Sequence, residues 1–215
     1  MEDWHQKENP FESKDYFKEA DIVVLAEDVG HGKHTETILS FLDQFGPQLR
    51  GLLIEKSIDL QKSIDNYIQM GEVDAHLENL FKGALKEGKD LREETLVILD
   101  KAKELGISVI CFDAAKKQSA VHNKRNDRGY WFIRGESRDD DMFENVKEQY
   151  ESSNGKYVVV IGAGHTSQEA SGRNQENFGQ KMKEEFDDKC LVIRMAGVDR
   201  IKSESTGIYD DVVVG

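Results

Sequence analysis

Short apolar runs, each stopping on a charged residue or a glycine turn and then giving way to helical periodicity, decide the architecture open to this chain. Ile22 to Ala26 is the first, largely β-branched and with the make-up of a buried parallel strand. It stops at Glu27 and Asp28, passes Gly30 and Gly32, and leads into Ile38, Leu39, Leu42 and Phe45, which predict a helix over about 34–45. Leu52-Leu53-Ile54 ending at Glu55, Ile107–Phe112 ending at Asp113, and Tyr157–Ile161 running into Gly162-Ala-Gly-His165 repeat the theme. Leu191–Arg194 and Asp211-Val-Val-Val add two further short strands. Between them Ser57 is an N-cap for a helix through Ile64, Tyr67 and Ile68 that Gly71 ends, and residues 73–88 read as a looser helix. Leu91 to Leu105 recurs at helical spacing up to Gly106, and helices begin near Asp139 and Asn177. The pattern predicts an α/β fold with a single, mostly parallel β-sheet flanked by helices on both faces and a site at the carboxyl edge of the strands.

One domain over 21–215 accommodates these elements, with 1–20 an N-terminal extension whose Pro10 leads into a short helix through Tyr16 and Phe17. Residues 114–137, rich in Lys, Arg, Asn and Asp around Tyr130-Trp131-Phe132, form a candidate lid or binding loop. Charge narrows the partners: 29 Lys and Arg against 42 Asp and Glu leave a formal net charge of −13, which repels phosphate backbones and anionic lipid. Nucleic acid and membrane insertion are therefore not expected. No run approaches membrane-spanning length and the N-terminus is polar, so the expected location is cytoplasmic, or exported without a conventional signal peptide. Cys111 and Cys190 sit inside apolar runs and read as buried hydrophobes rather than a disulfide or a metal knuckle.

The chemistry is concentrated just beyond the end of each strand. Strand one delivers Glu27, Asp28, His31 and His34; strands two, three and four deliver Glu55, Asp113 and His165. A parallel sheet brings these ends to one rim, and His after Gly-Ala-Gly is not ordinary turn chemistry. Each residue has a plainer alternative: Asp113 as a cap, Glu55 beside the Ser57 cap, His34 as a surface residue at a helix start. His5, His76 and His122 have no such company. The Ile-Gly-Ala-Gly run lacks the full dinucleotide fingerprint, and neither a Walker sequence nor a Gly-x-Ser-x-Gly elbow is present. Histidine beside carboxylates supports two routes to activated water. The imidazole acts as general base with a carboxylate holding it, or His and Glu bind a divalent metal with an open position. Residue types alone leave both open.

The order Leu-Ala-Glu-Asp-Val-Gly-His-Gly-Lys-His, then Leu-Leu-Ile-Glu, then Ile-Cys-Phe-Asp-Ala resembles the superfamily of erythromycin esterase-like proteins, with the ChaN-like, Tiki and TraB groups. Arg138-Asp-Asp-Asp-Met142-Phe-Glu-Asn145 resembles that superfamily's Arg-Asp-x-x-Met-x-x-Asn helix, and the Gly-x-Gly-His turn and the final Asp-and-valine strand come after it in the same order. The resemblance implies hydrolysis carried by His31, Glu55 and His165, with Glu27 as the acid of the first motif. In the Tiki-like branch the same four positions, Glu27, His31, Glu55 and His165, would be metal ligands. The first motif departs from the family: Ala26 replaces its glycine and one extra residue separates the acid from His31. The chain is also shorter than macrolide-degrading esterases, which argues against macrolide hydrolysis.

The expectation is therefore a hydrolase of esterase or metallopeptidase type acting on a small molecule or peptide. Arg138, Asp113, Tyr130 and Trp131 are candidate substrate-binding residues, and one divalent metal ion is the candidate cofactor. Family members in bacterial toxins and effectors make a host protein a candidate partner. The alternative is a non-enzymatic module on the same fold, binding haem beside Tyr130-Trp131-Phe132 or docking on a host protein.

Overall fold

The computed structural model describes residues 11–12, 14–27, 34–86, 92–114, 123–125, 131–133, 138–166, 176–196 and 209–214. At 84–86, 123–125, 131–133 and 212–214 only the backbone is described. The strands are β1 (Ile22–Glu27), β2 (Leu49–Ser57), β3 (Ser108–Asp113), β4 (Asn123–Arg125), β5 (Trp131–Ile133), β6 (Lys156–Gly162), β7 (Cys190–Ala196) and β8 (Asp211–Val214). The helices are α1 (His34–Phe45), α2 (Gln61–Met70), α3 (Ala75–Lys86), α4 (Arg92–Leu105), α5 (Arg138–Ser153) and α6 (Phe178–Phe186).

Six strands form one sheet in the order β3-β2-β6-β1-β7-β8, and every pairing in it is parallel. The expected α/β architecture is the observed one. Successive side chains of a strand point to opposite faces, and both faces are used. Val23, Leu25, Leu52, Val158 and Val160 pack with Ile38, Phe41, Leu42, Ile64, Tyr67, Leu77, Phe81 and Leu99 of α1 to α4. Ile22, Val24, Leu53, Val159 and Ile161 pack on the other side with Met142, Val146, Phe178 and Met182 of α5 and α6. Burial on both sides is why these strands read as near-continuous apolar runs instead of alternating ones.

The helix limits reflect local chemistry. Gly71 and Gly106 end α2 and α4 at φ 77° and 68°, a left-handed conformation glycine adopts without steric penalty. Asn177 caps α6 in a reciprocal box with Gln180. Ser57 caps a 3-10 turn (Ile58–Leu60) that precedes α2, not α2 itself. The short helix expected through Tyr16 and Phe17 is not formed: residues 16–19 are turns. Phe11, Tyr16 and Phe17 are held by tertiary packing on Phe41 and Phe45, with ring centroids 4.7–6.4 Å apart throughout the cluster. Within 114–137, expected to be irregular, β4 and β5 pair as antiparallel strands; the remainder of that segment, beyond Ala114, lies outside the described residues.

Candidate active site at the carboxyl rim

The sheet order turns four strand ends into neighbours. β3, β2, β6 and β1 lie side by side, so Asp113, Glu55, the turn after Gly162 and Glu27 line one rim in that order. β2 carries one extra residue between Ile54 and Ser57 relative to β3, where Ile54 pairs with Cys111 and Ser57 with Asp113. Glu55 falls in that irregularity, the kind that re-aims a side chain at a sheet edge. Its Oε2 accepts the Gly162 backbone N–H at 2.7 Å, which locks it to the end of β6.

Arg138, the first residue of α5, is the hub. Its Nε donates to Asp113 Oδ1 at 2.7 Å and its Nη2 to Asp113 Oδ2 at 2.8 Å, a bidentate fork; Nη2 also donates to Glu55 Oε1 at 2.6 Å. Its Nη1 lies 3.3 Å from His165 Nε2. His165 sits in the 3-10 turn Ala163–His165, its Nε2 3.4 Å from Glu55 Oε1 and its Nδ1 2.6 Å from Asp139 Oδ1. The side chains of Glu55, Asp113, Arg138, Asp139 and His165 are 17–29% exposed, shielded yet within reach of water.

These contacts set the protonation states. Burial favours a neutral Glu55, but His165, Arg138 and the Gly162 N–H overcome it and hold the carboxyl at about 2. Burial likewise disfavours charge on His165, but the hydrogen bonds and charges of Asp139 and Glu55 push it up to about 9. Arg138 is desolvated too, yet Asp113 and Glu55 keep it firmly charged. Glu27 differs: burial pushes it up to about 7, opposed by Lys56 and reinforced by Glu55 and Glu94. The two thiols are inert, with burial pushing Cys111 and Cys190 up to about 12.

Of the residues expected at the site, Glu55, Asp113, Arg138 and His165 meet directly, and Glu27 ends the strand beside Gly162. His31 and Tyr130 lie outside the described residues, and of Trp131 only the backbone is described. Arg138 is already engaged by Asp113, Glu55 and His165, which leaves little of its guanidinium for a substrate anion. His34 is buried at the start of α1, not on the surface. Asp139 was missed. It stands in the acidic first turn of α5, where it reads as a complement to the helix dipole, and nothing local marks it as a histidine partner.

No three His, Cys, Asp or Glu side chains among the described residues group in a way that would hold a metal ion. The donor set explains this: a guanidinium sits between Glu55 and His165 Nε2, where a second cation would meet a fixed positive charge. The described residues therefore do not fit a metal. His165 has Asp139 Oδ1 against Nδ1 and Arg138 Nη1 3.3 Å from Nε2, so Nε2 is the one ring nitrogen not held by a carboxylate at short distance. No described helix is long and apolar enough to cross a membrane.

No protein-family model matches the chain, and no curated protein is significantly similar to it. Solved structures are. The Q81BN2_BACCR protein from Bacillus cereus superposes with a TM-score of 0.61 at 14% identity, over 86% of this chain and 67% of that one. The type III effector HopBA1 gives 0.52 at 13% identity, over 91% and 87%. A structure of the Pasteurella multocida toxin, whose C-terminal region carries a thiol-protease-like catalytic triad, gives 0.54 at 14% identity, over 82% of this chain but 23% of that one. The fold is shared with these proteins. At such identities the likeness concerns the fold alone.

Proposed function

We propose that this domain is a hydrolase of esterase or peptidase type in which His165 takes a proton from water at the carboxyl rim. The observation that carries the reading is the convergence of Glu55, Arg138 and His165 from three separate elements into one partly exposed array. Glu55, ionised throughout the physiological range, stabilises the imidazolium that forms, and Arg138 holds Glu55 in place. The hydroxide attacks the scissile carbonyl, and the proton on His165 passes to the leaving group. A ring held near 9 makes the rate alkaline-limited, with kcat/KM rising as pH increases toward about 9.

A panel of chromogenic esters and short peptides, run with wild type, His165→Gln and Glu55→Gln, tests the reading. Turnover by wild type should fall by about 10²–10⁴-fold in the variants while circular dichroism shows the fold kept. Equal turnover in wild type and His165→Gln, or none by any folded protein, sinks it.

One observation favours a second reading, a non-catalytic module docking on a host protein: the groups of the array satisfy one another, as structural ion-pair networks do. The shared folds of HopBA1 and the Pasteurella toxin are consistent with such a role. In that case His165 substitutions leave the biological effect intact and changes within 114–137 remove it.

A further inference from the structure

We infer that Asp139 is a positioning residue that decides which proton of His165 is exchanged, pinning the one on Nδ1 so that Nε2 alone gives and takes a proton at the rim. This deepens the hydrolase reading and rests on it for its catalytic consequence, but not for its test.

Asp139 has both carboxylate oxygens committed. Oδ1 lies 2.6 Å from His165 Nδ1, and Oδ2 accepts the backbone N–H of Phe178, the first residue of α6, at 3.1 Å. An ionised carboxylate only accepts, so the nitrogen facing it must carry hydrogen whether the ring is charged or neutral. The opposite edge of the ring has no such bias. Nε2 faces an acceptor, Glu55 Oε1 at 3.4 Å, and a donor, Arg138 Nη1 at 3.3 Å. A protonated Nε2 has Glu55 to donate to, and a bare Nε2 has Arg138 to accept from. Those charged groups, Glu55 from β2 and Arg138 and Asp139 from α5, are the ones that the contacts place against the ring. The two protons are thus unequal, and Asp139 is the source of the inequality.

The second oxygen explains why a carboxylate and not an amide serves here. Asn177 accepts the N–H of Gln180, leaving the Phe178 N–H to Asp139. Two donors, Nδ1–H and Phe178 N–H, require two acceptors. An amide offers one oxygen and one NH₂ group, so in Asp139→Asn one donor goes unmet. If the oxygen serves Phe178, the NH₂ faces Nδ1 and drives the ring proton to Nε2, against Arg138. If it serves Nδ1, the NH₂ confronts the Phe178 N–H. The first arrangement keeps α6 capped and reverses the tautomer.

The test is an NMR titration of ¹⁵N-histidine-labelled protein, with the His165 ring assigned by its loss in His165→Gln. On deprotonation of the wild type, Nε2 should shift to the position of a bare ring nitrogen while Nδ1 keeps its N–H signature. In Asp139→Asn the neutral ring should carry its proton on Nε2. A wild-type ring that loses the Nδ1 proton overturns the inference, and so does an Asp139→Asn ring with the wild-type tautomer. If that variant does not fold, Arg138→Met is read instead: a neutral ring that keeps its proton on Nδ1 without the Arg138 donor supports the inference, and one that moves it to Nε2 overturns it. Where a substrate is found, Asp139→Asn should lower kcat by about 10³–10⁴-fold with little change in KM. A ring that behaves as expected without hydrolysis of any substrate overturns the hydrolase reading and leaves the role of Asp139 standing.

Discussion

Glu27 shows at the level of one residue how a functional rim is at odds with stability. Its carboxyl is raised to about 7 chiefly by burial, so above that pH the fold holds a desolvated negative charge near Glu55. A raised carboxyl stabilises below its unfolded value near 4.5 and loses that contribution as pH climbs through 7. Glu27→Gln should therefore raise stability by roughly 1–3 kcal/mol at pH 8 and leave it unchanged at pH 4, as urea titrations at the two pH values would read. An equal gain at both would mean the charge is not desolvated. Arg138 is the opposite case, a cation satisfied by two carboxylates. Arg138→Met takes the bidentate partner from Asp113 and leaves Glu55 only His165 and the Gly162 N–H, and should cost about 3 kcal/mol, the low end for a broken pair because the rim is partly wet. A cost below about 1 kcal/mol would identify it as an ordinary surface bridge. Glu27, Glu55, Asp113 and His165 were legible in the sequence because each lies at or just past the end of an apolar run. Asp139 was not, since its partner lies 26 residues away and only the packing of α5 against the turn after β6 joins them.

At the level of elements, the rim depends on how β2 is threaded between β3 and β6. Gly51 lies where a Cβ would stand 3.0 Å from the Tyr157 ring and 3.1 Å from Ile110, so a side chain there fits only if these neighbours give way by a few tenths of an ångström. Gly51→Ala should destabilise by about 1–3 kcal/mol through overpacking, measurable as a lower urea midpoint at unchanged slope. A neutral effect would show that Tyr157 swings aside freely. The helices and most strands were readable from periodicity, and α1 falls over the expected span, 34–45. β2 is longer than its apolar core, Leu52–Ile54, because ladder hydrogen bonds to β3 and β6 carry flanking polar residues into the strand. The turns at 16–19 failed to be a helix because Tyr16 and Phe17 are spent on Phe41 and Phe45 instead of on a helical face.

Across the whole molecule, the segment from Phe11 to Ala20 belongs to the energetics of the sheet. Phe11, Tyr16 and Phe17 are buried in the cluster that contains Val23 and Leu25, and Lys14 and Tyr16 both reach Asp211 at the start of β8. We propose on this basis that the folding unit begins before residue 21. Removing 1–20 should lower Tm by more than about 10 °C, since it uncovers Phe41 and Phe45, and losing a buried aromatic costs about 3–5 kcal/mol. An unchanged Tm would return the segment to the status of an extension. The pH profile is also a property of the whole. The interaction that raises His165 is complete below about 6.5 and fades as pH passes about 9, and the one that lowers Glu55 is complete above 4.5 and fades toward about 2. The array should contribute most between roughly pH 4.5 and 6.5, and alkaline destabilisation near 9 should vanish in His165→Gln.

By itself the sequence determined the kinds of elements, their order and the burial of the sheet on both faces. Apolar periodicity acts over a few residues and needs no distant partner to be read. It also marked the rim, because the residue after a buried strand is the first that can meet water. Only the tertiary structure decided that β6 inserts between β2 and β1, and with it which charges meet. Arg138 finds Asp113 and Glu55 at separations of 25 and 83 residues, and His165 finds Asp139, through strand order and helix docking. A carboxylate is compatible with many cations, so local chemistry cannot name its partner; the pairing is settled by the geometry that closes the sheet.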